Sequence, residues 1–363
     1  MKITPLKIGE RTARYPLIQG GMGVGVSLSS LAGHVAREGG VGIISTAQIG
    51  YREPDYDGNP VEANLRAIAS EVAKARQIGG EEGIIGVNIM VATRFYERYV
   101  RAACQAGVDL IISGAGLPVS LPEYAKGYDV CLAPIVSSAK AAAVICKMWD
   151  RKYKRVPDLL VIEGPMAGGH LGFSVDELQT YAAKSYDGEI TAIERVVREY
   201  GDKYQKKIPV IIAGGVFDSS DVEHCLGELG ADGVQVATRF VTTVECDASD
   251  AYKQTYLDAK KEDIVIVKSP VGMPGRAIKN RFMERCMAGD PPPLGRCHLC
   301  IEKCDRTKIP YCISDALLNA VKGNVDQALL FCGANAYRCR VIETVRDVIH
   351  SLFPWEKRES AGL

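Results

Sequence analysis

The chain has no apolar run approaching the roughly 20 residues that a bilayer-spanning helix needs, so no transmembrane helix is expected. It has no charge surplus either. Its 44 basic residues balance 44 acidic ones, which removes the electrostatic case for a nucleic-acid partner. The opening MKITPLKIGERTARYP lacks the apolar stretch of a secretory signal, and a cytoplasmic address is the expectation. No fixed-period repeat or low-complexity tract occurs. Histidine is scarce, with five in 363 residues, so the place of each carries weight. Cysteine is plentiful. Of twelve, Cys104, Cys131, Cys146, Cys225, Cys246 and Cys286 are scattered, and the other six fall within the last seventy residues. Without a secretory signal a disulfide framework is not expected, and metal or redox chemistry moves ahead of it.

What is present is ordinary for a globular enzyme: 47% hydrophobic and 24% charged residues, long enough for one large α/β barrel or two smaller domains. Short apolar, β-rich runs recur at Leu17–Gln19, Val41–Ser45, Ile84–Asn88, Leu110–Ser113, Val130–Val136, Leu159–Glu163, Val210–Ala213 and Val234–Thr238, eight in all. Continuous apolar runs suit parallel strands covered on both faces. Helix-compatible stretches such as Pro60–Gln77 and Ile190–Gly201 lie between them. Strand and helix alternating eight times predict a closed (β/α)8 TIM barrel, with an open doubly wound sheet as the alternative that periodicity leaves standing.

In such a barrel the active face lies at the C-terminal strand ends. The loops predicted there read GGMGVG, STAQIG, NIMVA, SGAG, SSAK, GPMAGGH, AGGVFD and ATRF, rich in small residues that let backbone N–H groups approach a ligand. The pairing of Ala213-Gly214-Gly215 after strand seven with Gln235-Val236-Ala237-Thr238 at strand eight predicts a phosphate site. After strand six, Glu163-Gly164-Pro165-Met166-Ala167-Gly168-Gly169-His170 puts a histidine on the active face, where it can act as a base or a hydrogen-bond donor. His34 and His224 fall in predicted helices, His298 lies among cysteines, and His350 is near the C-terminus.

Taken in order, PLIQGGMGVGVS, GVNIMV, EGPMAGGH, IIAGGVFD and VQVATRF resemble the nitronate monooxygenase (2-nitropropane dioxygenase) family, which includes the FMN-dependent enoyl-acyl-carrier-protein reductases. The resemblance covers residues 1–285 and resumes at Gly323–Leu352. It implies an FMN-dependent oxidoreductase, with the FMN phosphate on Gly214, Gly215, Ala237 and Thr238. It implies ring and ribityl contacts from Gly21, Met22, Asn88, Ser137, Glu163, Gly168 and Gln235. His170 matches the family's catalytic histidine, expected to take the α-proton of a nitroalkane or to hydrogen-bond its nitro group. Glu163 and the loop Pro274–Asn280 are similar to the enoyl reductases, so an NAD(P)H-dependent reductase of enoyl thioesters or quinones is the alternative. A rival of another class is a non-redox lyase or synthase reusing the phosphate site, for which Lys140 is the one lysine near a strand end.

Residues 1–285 are thus expected to form the FMN barrel, 286–314 a cysteine-rich insert, and 315–363 terminal helices packing on it, with Asp315–Phe353 helical. Between 245 and 285 a helix is expected, then a loop, SPVGMPGRAIKN, returning over the barrel. In the insert, Cys297-x2-Cys300-x3-Cys304-x7-Cys312 puts four thiols within sixteen residues, spacing that suits one metal centre. A [4Fe-4S] cluster is the first expectation, with zinc as rival and His298 able to replace one thiolate. Cys332 and Cys339 are expected to be packing residues of the terminal helices. The expected partners are a small-molecule substrate, NAD(P)H in the reductase alternative, and a second copy of the chain in a homodimer.

Overall fold

The computed structural model describes residues 3–355; the outermost ends of the barrel and tail assignments, residues 1–2 and 356–363, lie outside that range. Eight parallel strands close into a barrel: β1 (Leu17–Gln19), β2 (Val41–Ser45), β3 (Ile84–Met90), β4 (Leu110–Gly114), β5 (Cys131–Val136), β6 (Leu160–Glu163), β7 (Val210–Ala213) and β8 (Gly233–Val236). Closure comes from β8 pairing with β1, Val234 opposite Leu17 and Gln235 opposite Ile18. That pairing decides against the open sheet.

Alternate residues of each strand serve two cores, which is why the runs are apolar throughout. Ile18, Ile43, Ile84, Leu110, Ile112, Val161 and Ile211 fill the barrel interior. Their neighbours Leu17, Ile44, Ile85, Ile111, Leu160, Ile162 and Ile212 pack outward with the helices. A hairpin of Leu6–Ile8 and Arg11–Ala13, not foreseen from sequence, adds Leu6, Ile8 and Ala13 to the interior core. The helix expected over 60–77 runs Pro60–Gly79, opening on a proline in its first turn, where a missing N–H costs no helical bond. The helix expected over 190–201 extends to Asp187–Lys203.

Beyond β8 the chain builds a cover over the C-terminal mouth. The stretch expected as helix and loop contains the helix Asp250–Asp258, then an antiparallel hairpin of Ile264–Lys268 and Pro274–Ile278. The hairpin recruits a third strand, Gly169–His170, with Gly275 opposite His170 and Arg276 opposite Gly169. A helix follows at Arg281–Met287, and residues 290–312 have neither helix nor strand apart from a bridge at Ile301.

The expected helical tail is helical only at its ends, Ile313–Val321 and Val345–Leu352. Between them Ala328, Leu329 and Leu330 are consecutive and all fully buried, an extended pattern that no single helix face accommodates. The next residue, Phe331, forms a bridge to Ala277 of the hairpin. Cys332 therefore lies outside any helix, and Cys339 ends a 3-10 turn at Ala336–Arg338. No described helix is long and apolar enough to cross a membrane.

Candidate active site

One large cavity lies between the barrel mouth and this cover. It is lined by Gly20, Gly21 and Met22 after β1, Asn88 of β3, Glu163 at the end of β6, Gly168 and His170 beyond it, Gly214 and Gly215 after β7, and Gln235, Ala237 and Thr238 from β8 onward. Of the residues expected to meet the cofactor, only Ser137 is not among the lining. It sits behind the loop that follows His170: its carbonyl accepts from Tyr186 Oη at 2.8 Å, and a Cβ on Gly172 would come within 2.5 Å of its Oγ.

Several glycines are there for space or for backbone geometry. Gly214 and Gly215 have φ of +92° and +100°, a left-handed region costly for other residues. A Cβ on Gly21 would fall 2.5 Å from Asn88 Cβ, and one on Gly168 the same distance from the Cys332 backbone. The corner at Gly215 and Thr238, where a phosphate is expected, is closed by the segment after Phe331. Gly333 N–H donates to Thr238 Oγ1 at 3.3 Å, Ala334 N–H to the Met166 carbonyl at 3.1 Å, and Asn335 Nδ2 to the Gly215 carbonyl at 2.7 Å.

Across the cavity, Gln235 Oε1 is buried and accepts no hydrogen bond, the one such side-chain atom among the described residues. An orphaned buried acceptor costs about 1–3 kcal/mol, so one aimed at a cavity calls for a donor on a ligand. Glu163 is the lining carboxyl. Burial pushes it up to about 7, against the lowering effect of a backbone hydrogen bond from Gly172. His170 is held from three sides: by strand pairing to Gly275, by Ser269 Oγ at 2.7 Å from its Nε2, and by the edge of Phe331 with centroids 4.9 Å apart. Burial pushes its pKa down to about 4, so the ring is neutral at pH 7. Lys140 is exposed and lies outside the lining, which leaves the lyase reading without its lysine.

Residues 4–354 match the family model for nitronate monooxygenase. The chain belongs to the nitronate monooxygenase family. It is an FMN-dependent oxidoreductase, and the glycine cradle with its waiting acceptor fits a flavin mononucleotide. A probable nitronate monooxygenase of Staphylococcus saprophyticus is 26% identical over 310 residues, covering 78% of this chain and 81% of that protein. In fold the chain is similar to FabK from Thermotoga maritima, with a TM-score of 0.71, 23% identity, and coverage of 95% and 94% of the two chains. It is also similar to nitroalkane oxidase from Streptomyces ansochromogenes, with a TM-score of 0.70, 17% identity, and coverage of 96% and 97%.

Sequence reasoning missed the groups that the cover brings to the family's site. Phe331, Cys332, Gly333, Tyr252 and Tyr256 all line the cavity, and Ser269 meets His170 without lining it. Cys332, taken as a packing residue, is both buried and on the cavity wall. The usable signal was the Gly333-Ala334-Asn335 turn, small and polar residues directly after a buried run.

The four clustered cysteines do not surround a single ion. Cys297 is exposed, Cys300, Cys304 and Cys312 are half-buried, and only Cys300 reaches the cavity. Among the described residues the one trio of ligand atoms within 4.8 Å of one another is His298, Cys312 and Asp315. A zinc ion at about 2.3 Å from each sulfur would hold its thiolates roughly 3.8 Å apart. No three of these four sulfurs meet even the wider limit.

Proposed function

We propose that this oxidoreductase oxidises alkyl nitronates, and that His170 serves it as a neutral hydrogen-bond partner for the nitro oxygens. The observation that carries this reading is the burial of His170 at the cavity wall, with a pKa pushed down to about 4. A base works best with a pKa near the operating pH. An imidazole near 4 gains little by taking a proton from carbon, so neutral nitroalkanes are poor substrates in this site. A nitronate arrives already deprotonated and asks only for a donor. Ser269 fixes which ring nitrogen faces it, because the 2.7 Å contact occupies Nε2.

Gly214, Gly215, Ala237 and Thr238 would hold the FMN phosphate. Gly21, Met22, Asn88 and Gly168 would border the ring and ribityl chain, while Gln235 Oε1 would accept from a ring N–H. Bound FMN supplies the redox chemistry by accepting electrons from the substrate. The cover would exclude water and place the substrate against the exposed side of the His170 ring.

The test is anaerobic mixing of the flavin-loaded chain with ethylnitronate or nitroethane, following loss of the visible flavin bands. Nitronate is expected to bleach the flavin at least 100-fold faster. Equal rates for the two would overturn the reading.

A second reading rests on Glu163. A carboxyl pushed up to about 7 keeps its proton through much of the neutral range, which suits a reductase that must protonate its product. In that case NADH or NADPH bleaches the flavin, nitronate does not, and an enoyl thioester or a quinone restores the colour.

A further inference from the structure

Residues 290–312 run without helix or strand, apart from one bridge, across the edge of the cavity. A stretch of that length in a compact protein is uncommon without a function or a staple to hold it. It is pinned at one point by backbone: Arg94 N–H donates to the Cys300 carbonyl at 3.1 Å, Glu302 N–H to the Ala92 carbonyl at 3.0 Å, and Thr93 bridges Ile301. That point is the loop directly after β3, whose Asn88 and Met90 line the flavin cavity along with Cys300.

The segment carries four cysteines and no disulfide. Leu299, between the first two, has φ +51°, a left-handed turn unusual for a leucine and of the kind that persists where surroundings impose it. Cys300 and Cys304 pack against a small apolar core of Phe282, Met283, Ile301 and Tyr311. Tyr311 and Ile313, which flank Cys312, belong to that same core, and the ligand atoms of Cys312 and of His298, the neighbour of Cys297, lie within 4.8 Å of each other. The four cysteines therefore border one small region, although no three of their sulfurs lie within 4.8 Å of one another.

His298 is engaged on both ring nitrogens: its Nε2 lies 2.6 Å from Asp315 and its Nδ1 3.2 Å from Tyr56 Oη. It buttresses the loop. Between positions 296 and 308, Arg296, Lys303, Arg306 and Lys308 outnumber Glu302 and Asp305, a surplus that offsets thiolate charge.

We infer that Cys297, Cys300, Cys304 and Cys312 bind a [4Fe-4S] cluster at the edge of the flavin cavity. A cubane is larger than a lone ion and takes one thiolate at each corner, so it suits sulfurs that are neighbours without converging. It would also staple a segment that has little secondary structure of its own. Loading from a preformed synthetic cluster balances simply. Four S–H bonds break, four protein Fe–S bonds form, and the donor's four small thiolates leave as thiols carrying those protons; no electron moves.

The experiment is anaerobic purification of the whole chain, followed by treatment with the synthetic [4Fe-4S] thiolate complex. Iron, acid-labile sulfide, zinc and released FMN are then assayed, with electron paramagnetic resonance after dithionite reduction. About four irons and four sulfides per chain are expected, with the low-temperature signal of a reduced cubane. Cys297→Ala and Cys304→Ala, neither of which lines the cavity, should each lose more than nine-tenths of both while FMN content stays within twofold. Cys286→Ala, beside the segment but outside the set, should keep them. Stoichiometric zinc without sulfide, no iron uptake from the synthetic complex, or cluster content unchanged in Cys297→Ala and Cys304→Ala would each overturn the assignment.

Discussion

The rim of the barrel and the cover above it build one site by different means. The rim works with backbone: glycines after β1 and β7, a left-handed pair at Gly214 and Gly215, and strand ends fixed by sheet register. The cover works mainly with side chains: Ser269 on the His170 imidazole, and Phe331 against its edge. On the proposed reading, cofactor recognition would rest mainly on the rim and substrate selection mainly on the side chains of the cover.

The largest effect that would sharpen this division is on the rim. Gly214→Ala puts a Cβ at φ +92° and within 2.8 Å of the Ala167 backbone nitrogen. Strain and overpacking together should cost about 3 kcal/mol of stability. FMN affinity, measured by fluorescence titration, should fall at least 100-fold; retention of flavin would break the comparison from the rim side.

Next comes the histidine that joins the two parts. His170→Asn should lower kcat/KM for ethylnitronate by roughly 10- to 100-fold with FMN content unchanged, a smaller loss than removal of a true proton acceptor, about 10²–10⁴-fold, would give. Ser269→Ala belongs to the cover alone. It should cost about tenfold in kcat/KM, on the scale of one hydrogen bond, and leave the FMN dissociation constant within twofold. A large change in that constant would show that the cover also holds the cofactor.

Gln235→Leu separates apo from loaded protein. It removes an acceptor that is orphaned until a ligand donates to it, so FMN should bind about tenfold more weakly while apo stability holds or rises by about 1 kcal/mol. The smallest effect is in pH dependence. Glu163 has a raised pKa, so the folded state holds its proton from about 4.5 up to about 7, and stability from this group falls as pH rises through that window. His170 has a lowered pKa, so its contribution is present above 6.5 and is lost as pH falls towards about 4. The two slopes oppose each other between pH 4.5 and 6.5. Urea unfolding of Glu163→Gln over that range should show a slope of stability against pH that is more positive than the parent chain's.

The sequence announced the barrel because two-sided burial leaves an unmistakable mark, apolar runs such as VGIIS and LIIS ending in small residues. His170 was legible by position, since the end of strand six is a place where a side chain meets ligands. Ser269 was not. It lies in SPVGMPGRAIKN, where proline and glycine give the pattern of a loop; Ser269 sits in the turn between two strands, and it meets His170 only because Pro274–Ile278 pairs with residues about a hundred positions earlier. The tail misled for a similar reason: Ala328–Leu330 owes its burial to the hairpin and helices around it, which no local period records.

The segment from Phe331 to Asn335 closes the corner of the cavity at Gly215 and Thr238, yet it lies only a few dozen residues from the end of the described chain. During synthesis all eight barrel strands leave the ribosome long before it does. Closure of that corner must then be a late event in the life of the polypeptide, and so must completion of the barrel's outer core, which takes Val345, Val348, Ile349 and Leu352 from the last described helix.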